Sequence, residues 1–200
     1  MMRRTILLGA ILIASGVAVG AQQGGAAPKP KAPAKPAVMT DAAKIRFVTS
    51  AAPADVAKGA VVMDMDEKGA MKPLRPGSNG WMCMIIPAGS EAEAMCMDKA
   101  WSGWADAYMS KKTPPTPKTV GVAYMLRGDH GASNTDPFAT GPTATNQWVV
   151  SPAHIMLLLP DAKALDALPT DPHTGGPWVM WKGTPYAHVM VPTAAMPAAK

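Results

Sequence analysis

NGWMCMIIPAGSEAEAMCMDKAWSGWADAYMSKK, residues Asn79 to Lys112, is the stretch whose reading decides the fold. It holds both cysteines and three of the six tryptophans. Gly80 to Ile86 reads as a buried strand, stopped by Pro87 and Gly89. Ser90 stands three residues before Glu93, the spacing of a capping box, so a long helix is expected from there. Met97, Trp101, Trp104 and Tyr108 recur at four, three and four residues. At about 100° per residue they share one stripe, with Asp98, Ser102 and Asp106 opposite. Cys96, Ala100, Gly103 and Ala107 form a row of small residues against which another element can lie closely.

Upstream, Arg3 and Arg4 precede an apolar run from Thr5 to Val19, and Val19-Gly20-Ala21 supplies small residues for cleavage. These are the three parts of a secretory signal peptide, assigned to residues 1–21. The run is short for a membrane span, which needs about 20 residues, so no span is expected after cleavage. A retained anchor is the alternative. Residues 22–39, rich in Pro, Lys and Ala, cannot bury a core and read as an extended linker. The globular domain is expected over residues 40–192, followed by a flexible tail, 193–200. A periplasmic or secreted location follows. Two cysteines in an exported chain then pair most simply as Cys83–Cys96, stapling the strand to the helix and adding about 3 kcal/mol.

Charge narrows the partners. Of nineteen Lys and Arg residues, Arg3, Arg4, Lys29, Lys31 and Lys35 precede the domain. From Met39 onward fourteen basic residues meet fourteen acidic ones, so the basic pI belongs to the leader and linker. A nucleic-acid binder concentrates basic charge on its domain; none is expected here.

Within the domain, Asp41 to Ser50 and Pro53 to Lys58 read as short helices. Val61 to Met65 and Met71 to Arg75 read as a hairpin, with Pro73 marking an edge strand. Downstream, Val120 to Leu126 is strand-like, with Val120, Val122, Tyr124 and Leu126 on one face. Arg127 to Gln147 has no periodicity, and a loop of that length is often functional. Trp148 to Val150, His154 to Leu159, Trp178 to Trp181 and Tyr186 to Val191 supply further strands, and Asp161 caps a short helix. Strands without regular βαβ alternation predict a single small α+β domain, a mostly antiparallel sheet packed on one long helix.

Asn79-Gly80-Trp81-Met82-Cys83, Met97 to Trp101, Ser133 to Phe138, Gly175 to Trp181 and Thr184-Pro185-Tyr186 carry a resemblance over Val56 to Pro192. The segment resembles an uncharacterised family of exported bacterial proteins, a domain of unknown function. The resemblance implies an exported single domain and implies no chemistry.

Enzyme signatures are mostly absent: the chain has no G-x-S-x-G, P-loop, H-E-x-x-H or C-x-x-C. Asp129, His130 and Ser133 crowd together in the long loop, but such residues more often bond neighbouring backbone than form a triad. Arg127-Gly128-Asp129 spells an adhesion tripeptide too short to carry weight. No catalytic residue is assigned, and the chain reads as a non-enzymatic module for an unknown ligand or protein partner. Asn134, Asp136, Trp148, Trp181 and Tyr186 are the candidate ligand-binding residues; the competing reading places the aromatics in the core. The alternative is a periplasmic copper-binding protein. His154/Met156 and His188/Met190 repeat a His-x-Met spacing that puts imidazole and thioether on one strand face, a donor set suited to copper, above all Cu(I). Against it stands methionine as core filler. His173, in a turn-rich loop, reads as solvated.

Overall fold

Alternate residues facing opposite ways govern most of this architecture. The computed structural model describes residues 39–66, 68–88 and 91–197, all within one compact unit. The expected signal peptide, the expected linker up to residue 38, Ser90 and residues 198–200 lie outside the described residues.

Two short helices come first, α1 (Asp41–Thr49) and α2 (Ala54–Gly59). Thr40 caps α1, its hydroxyl accepting from the Ala43 amide at 3.2 Å. Strands β1 (Val61–Met65) and β2 (Met71–Arg75) form the expected hairpin, and β2 with its Pro73 is a sheet edge. Then come β3 (Met82–Ala88), β4 (Glu91–Met97), helix α3 (Lys99–Met109) and β5 (Gly121–Met125). Next come β6 (Ala132–Ser133), β7 (Trp148–Val149) and β8 (His154–Leu158). β9 (Trp178–Met180) and β10 (His188–Pro192) end the series. Eight strands form one sheet in the order β2-β1-β3-β4-β5-β8-β10-β9, while β6 and β7 make a separate ribbon. Among the described residues only the β1–β3 pair is parallel, so the sheet is mixed and mostly antiparallel.

The long helix from Ser90 does not form. Glu91–Met97 is a strand, and α3 has eleven residues. Its cap is Asp98, which accepts from the Trp101 amide at 2.9 Å and from the Val122 amide at 2.7 Å. Glu, Ala and Met are good helix formers, so local propensity pointed to helix and tertiary pairing overrode it. The repeated Met-Cys-Met motif marks the pairing. Met-Cys-Met at 82–84 and at 95–97 lies antiparallel in register, Met82 opposite Met97, Cys83 opposite Cys96 and Met84 opposite Met95. Pro87 does not stop β3 either; it stays in the ladder opposite Ala92. The Cys83–Cys96 disulfide therefore joins two paired strands, 3.9 Å apart at Cα, rather than a strand and a helix.

Each sheet face has its own helical cover. Cys83, Ile85, Ala94, Cys96 and Val62 pack under α1 and α2 with Val48, Ala51, Ala57 and Ala60. On the other face, Met84, Met95, Met97, Ala123, Met125, Met156 and Met190 pack under Trp101, Trp104 and Ala105 of α3. The core-facing side of β5 is Gly121, Ala123 and Met125. Here the small-residue row of α3 matters: a Cβ on Gly121 would stand 3.0 Å from the Cβ of Ala100, so glycine lets the helix approach.

Candidate functional site

A strand pair in register puts opposite side chains on the same face, and this fixes the site. Met125 stands opposite His154, Ala123 opposite Met156, and Met156 opposite Met190. Met84 stands opposite both Met63 and Met95 on its two neighbours. The face is thus tiled with thioethers. Between it and α3 lies a chamber of about 230 Å³, lined by methionines including Met84, Met95, Met125, Met156, Met180 and Met190, by Trp101, Trp104, Tyr108 and Trp181, and by Glu93, Asp129, His154 and His188. A cavity of about 150 Å³ already holds a benzene ring, so this chamber has room for a small ligand.

One wall is aromatic. The rings of Trp104, Tyr108 and Trp181 are nearly parallel, with centroids 5.4 to 6.0 Å apart, and Phe138 stacks on Tyr108 at 5.5 Å. The loop of residues 127–147 holds this wall in place. Trp181 Nε1 donates to the Ser133 carbonyl at 2.6 Å, and the Trp181 amide donates to the Asn134 carbonyl at 2.9 Å. Gly131 is required there, since its φ is +115° and a Cβ would stand 2.2 Å from Trp148 Nε1.

The four His and Met residues of the copper reading all line the chamber. His154 and His188 do not face each other across one ion, however. Pro192 is opposite His154 and Val189 opposite Leu157. The two histidines therefore lie on opposite sides of the Met156–Met190 pair, four residue steps apart, or roughly 13 Å along the strands. Their surroundings differ too. His188 is ringed edge-on by Trp101, Trp104 and Trp181 at 5.0 to 5.6 Å, and burial pushes its imidazole down to about 4. His154 is 0 % exposed; its Nδ1 donates to the Pro152 carbonyl at 2.7 Å. A carbonyl only accepts, so Nδ1 carries the proton and Nε2 bears the lone pair. That Nε2 is buried with no partner among the described residues. Burial also lowers the His154 imidazole, against the pull of the Pro152 carbonyl and the Asp129 carboxylate.

Acid groups close the polar end. Asp129 Oδ1 accepts from the Ser151 amide at 2.8 Å and the Gly131 amide at 3.0 Å, yet burial still raises its carboxyl above the usual range. Glu93 Oε1 accepts from the His130 amide at 2.8 Å, and burial raises it as well. Glu93 and Asp129 also line an outer hollow with Glu91, Arg127 and His130. His130 contacts Glu91 through Nε2 and approaches Glu93 at 3.5 Å through Nδ1. The Ser133 hydroxyl donates to the Asn146 carbonyl at 2.7 Å. Among the described residues no hydrogen bond joins His130 to Asp129 or Ser133 side chains, so the Asp/His/Ser crowd is a turn network.

The five candidate ligand-binding residues are not gathered around one hollow. Trp181 lines the chamber, whereas Asp136 lies on a shallow hollow with Thr135 and Phe138. Trp148 borders a third hollow with Thr170 and His173. Asn134 is 2 % exposed, donating to the Thr170 carbonyl at 2.8 Å and Gln147 Oε1 at 3.2 Å. Tyr186 is buried, its hydroxyl bonded to the Lys112 carbonyl at 3.0 Å. Asn134 and Tyr186 thus support the fold. Sequence reasoning missed Met84, Met95 and Met125. The alternate-residue spacing of Met63/Met65, Met82/Met84 and Met95/Met97 was the available signal for Met84 and Met95, whereas Met125 had no local signal.

No protein-family model, curated protein or solved structure matches this chain, so the functional reading rests on its own residues.

Proposed function

We propose that this chain is a non-enzymatic binding module whose ligand occupies the chamber between α3 and the methionine face of the sheet. One observation carries the reading. The chamber is walled by thioethers and indoles, yet its lining residues include polar atoms buried without partners: His154 Nε2 and the indole N–H of Trp101 and Trp104, among the described residues. Buried polar atoms in native proteins are normally paired, and unpaired ones beside a cavity favour an occupant that completes them. Methionine suits such a wall because its unbranched thioether side chain adapts to what it touches. On this reading the 127–147 loop acts as a brace for Trp181, rather than as the binding surface. An exported location accords with the leader-like residues 1–21 and with a bonded cysteine pair.

The test is a titration with indole, followed through the 13C-labelled methionine methyls. Shifts concentrated on Met84, Met125 and Met156 support the chamber. Shifts confined to Met39 and Met196, which lie outside it, or no saturable change at all, remove the reading.

A further inference from the structure

We propose that the polar end of this chamber is a site for a soft monovalent cation, Cu(I) or its redox-stable surrogate Ag(I), held by Nε2 of His154 and the thioethers of Met125 and Met156. This rests on the chamber being a binding site.

The register brings the three donors within reach of one point. Met125 and His154 are direct cross-strand partners, whose Cβ atoms stand about 4.5 to 5.5 Å apart. Met156 follows His154 by two residues on the same face, roughly 7 Å away along the strand. All three line the chamber. The imidazole is already arranged as a ligand. Nδ1 is committed to the Pro152 carbonyl at 2.7 Å, the outer contact that orients a metal-bound histidine, and the lone pair on Nε2 is buried and unanswered among the described residues. Donor softness selects the ion. Among the described residues no three of His, Cys, Asp and Glu gather into a metal site. The donors assembled here are thioethers and one imidazole, which favour Cu(I) over hard divalent cations.

Charge and access agree. Asp129 lines the chamber and acts electrostatically on His154, so a carboxylate stands near the bound cation. The outer hollow shares Glu93 and Asp129 with the chamber and adds Glu91; Arg127 opposes this charge, its guanidinium lying over the Phe47 ring at 4.6 Å. Only His154 enters the site. His188 stays in its cage of indoles.

The experiment uses the folded protein with silver nitrate, read through the methionine 13C methyls, and Cu(I) in competition with a chromophoric chelator. One equivalent of Ag(I) should shift Met125 and Met156 while leaving Met39 and Met196 in place. The volume-conserving double variant M125L/M156L should weaken both ions by about tenfold or more, the scale on which metal affinity responds even to outer-shell losses. H154Q should do the same; if it fails to fold, the methionine variant alone decides. Unchanged affinity in M125L/M156L, or shifts confined to methionines outside the chamber, overturns the proposal. Binding of indole without Ag(I) keeps the chamber and removes the metal. Failure of both removes both.

Discussion

The two faces of one sheet are built from different materials. Under α1 and α2, Ala, Val, Ile and the Cys83–Cys96 bond make a layer of small or stiff side chains. Under α3, unbranched methionines and large aromatics surround open volume. A dense layer resists change of shape, because close packing leaves neighbours nowhere to go. A methionine layer yields, since three rotatable bonds and a polarizable sulfur let it repack around a guest. The division separates two roles: the disulfide face holds the sheet, and the methionine face is where we propose that a ligand is received.

Neighbouring residues on β3 offer the sharpest way to break this contrast. Ile85 points to the dense face and Met84 to the chamber. Truncation of such residues costs between about 2 and 5 kcal/mol according to how well the site collapses. Ile85→Ala is therefore expected to cost about 4 kcal/mol and Met84→Ala about 2 kcal/mol, measured by urea unfolding. Equal losses would erase the distinction. Removing the disulfide with C83A/C96A should cost about 3 kcal/mol, chiefly by freeing the unfolded chain. The methionine methyl spectrum should stay dispersed, since the bond lies on the opposite face from the chamber.

Acid probes the chamber side. Burial holds His188 at about 4, against 6.5 in the unfolded chain. Above 6.5 both states are neutral and the stability is fully present. As pH falls from 6.5 towards 4 the unfolded state takes a proton that the native state refuses, so stability falls. The loss reaches about 3 kcal/mol by pH 4, from roughly 1.4 kcal/mol per pH unit. Glu93 and Asp129, raised by burial, act in the opposite sense and offset part of it. Unfolding curves taken across this window should show the decline in the native protein and a flatter profile in H188Q. A native profile independent of pH would contradict the burial of this imidazole.

The smallest effects separate brace from surface in the 127–147 loop. Asn134→Ala should cost about 1 to 3 kcal/mol, because it strands the buried partners of its amide. Asp136→Ala should stay within about 0.5 kcal/mol, as an exposed turn residue. A reversed order in thermal melts would return the loop to the role of binding surface.

These contrasts also show what was legible beforehand. Hairpin β1–β2, the edge position of Pro73 and the cysteine pair followed from turn chemistry, a missing donor and simple pairing. The strand at 91–97 did not, because Glu, Ala and Met favour helix locally while the pairing partner lies a turn away. The common face of His154, Met156, His188 and Met190 was readable only as a possibility, since register decides it. Met125 joined them through β5–β8 pairing, which no local pattern encodes. Asn134 looked like a loop ligand because its partners, Thr170 and Gln147, come from distant positions.

On the proposed reading, ligand enters between α3 and the methionine face. Crystals of the protein soaked with indole test it most directly. Ring-shaped density bounded by Met84, Met125, Met156 and Trp104 is expected, with these side chains moving to meet it. Density only in the outer hollows around Asp136 or Trp148, with Trp104 closed down on Met125 and Met156, would contradict it.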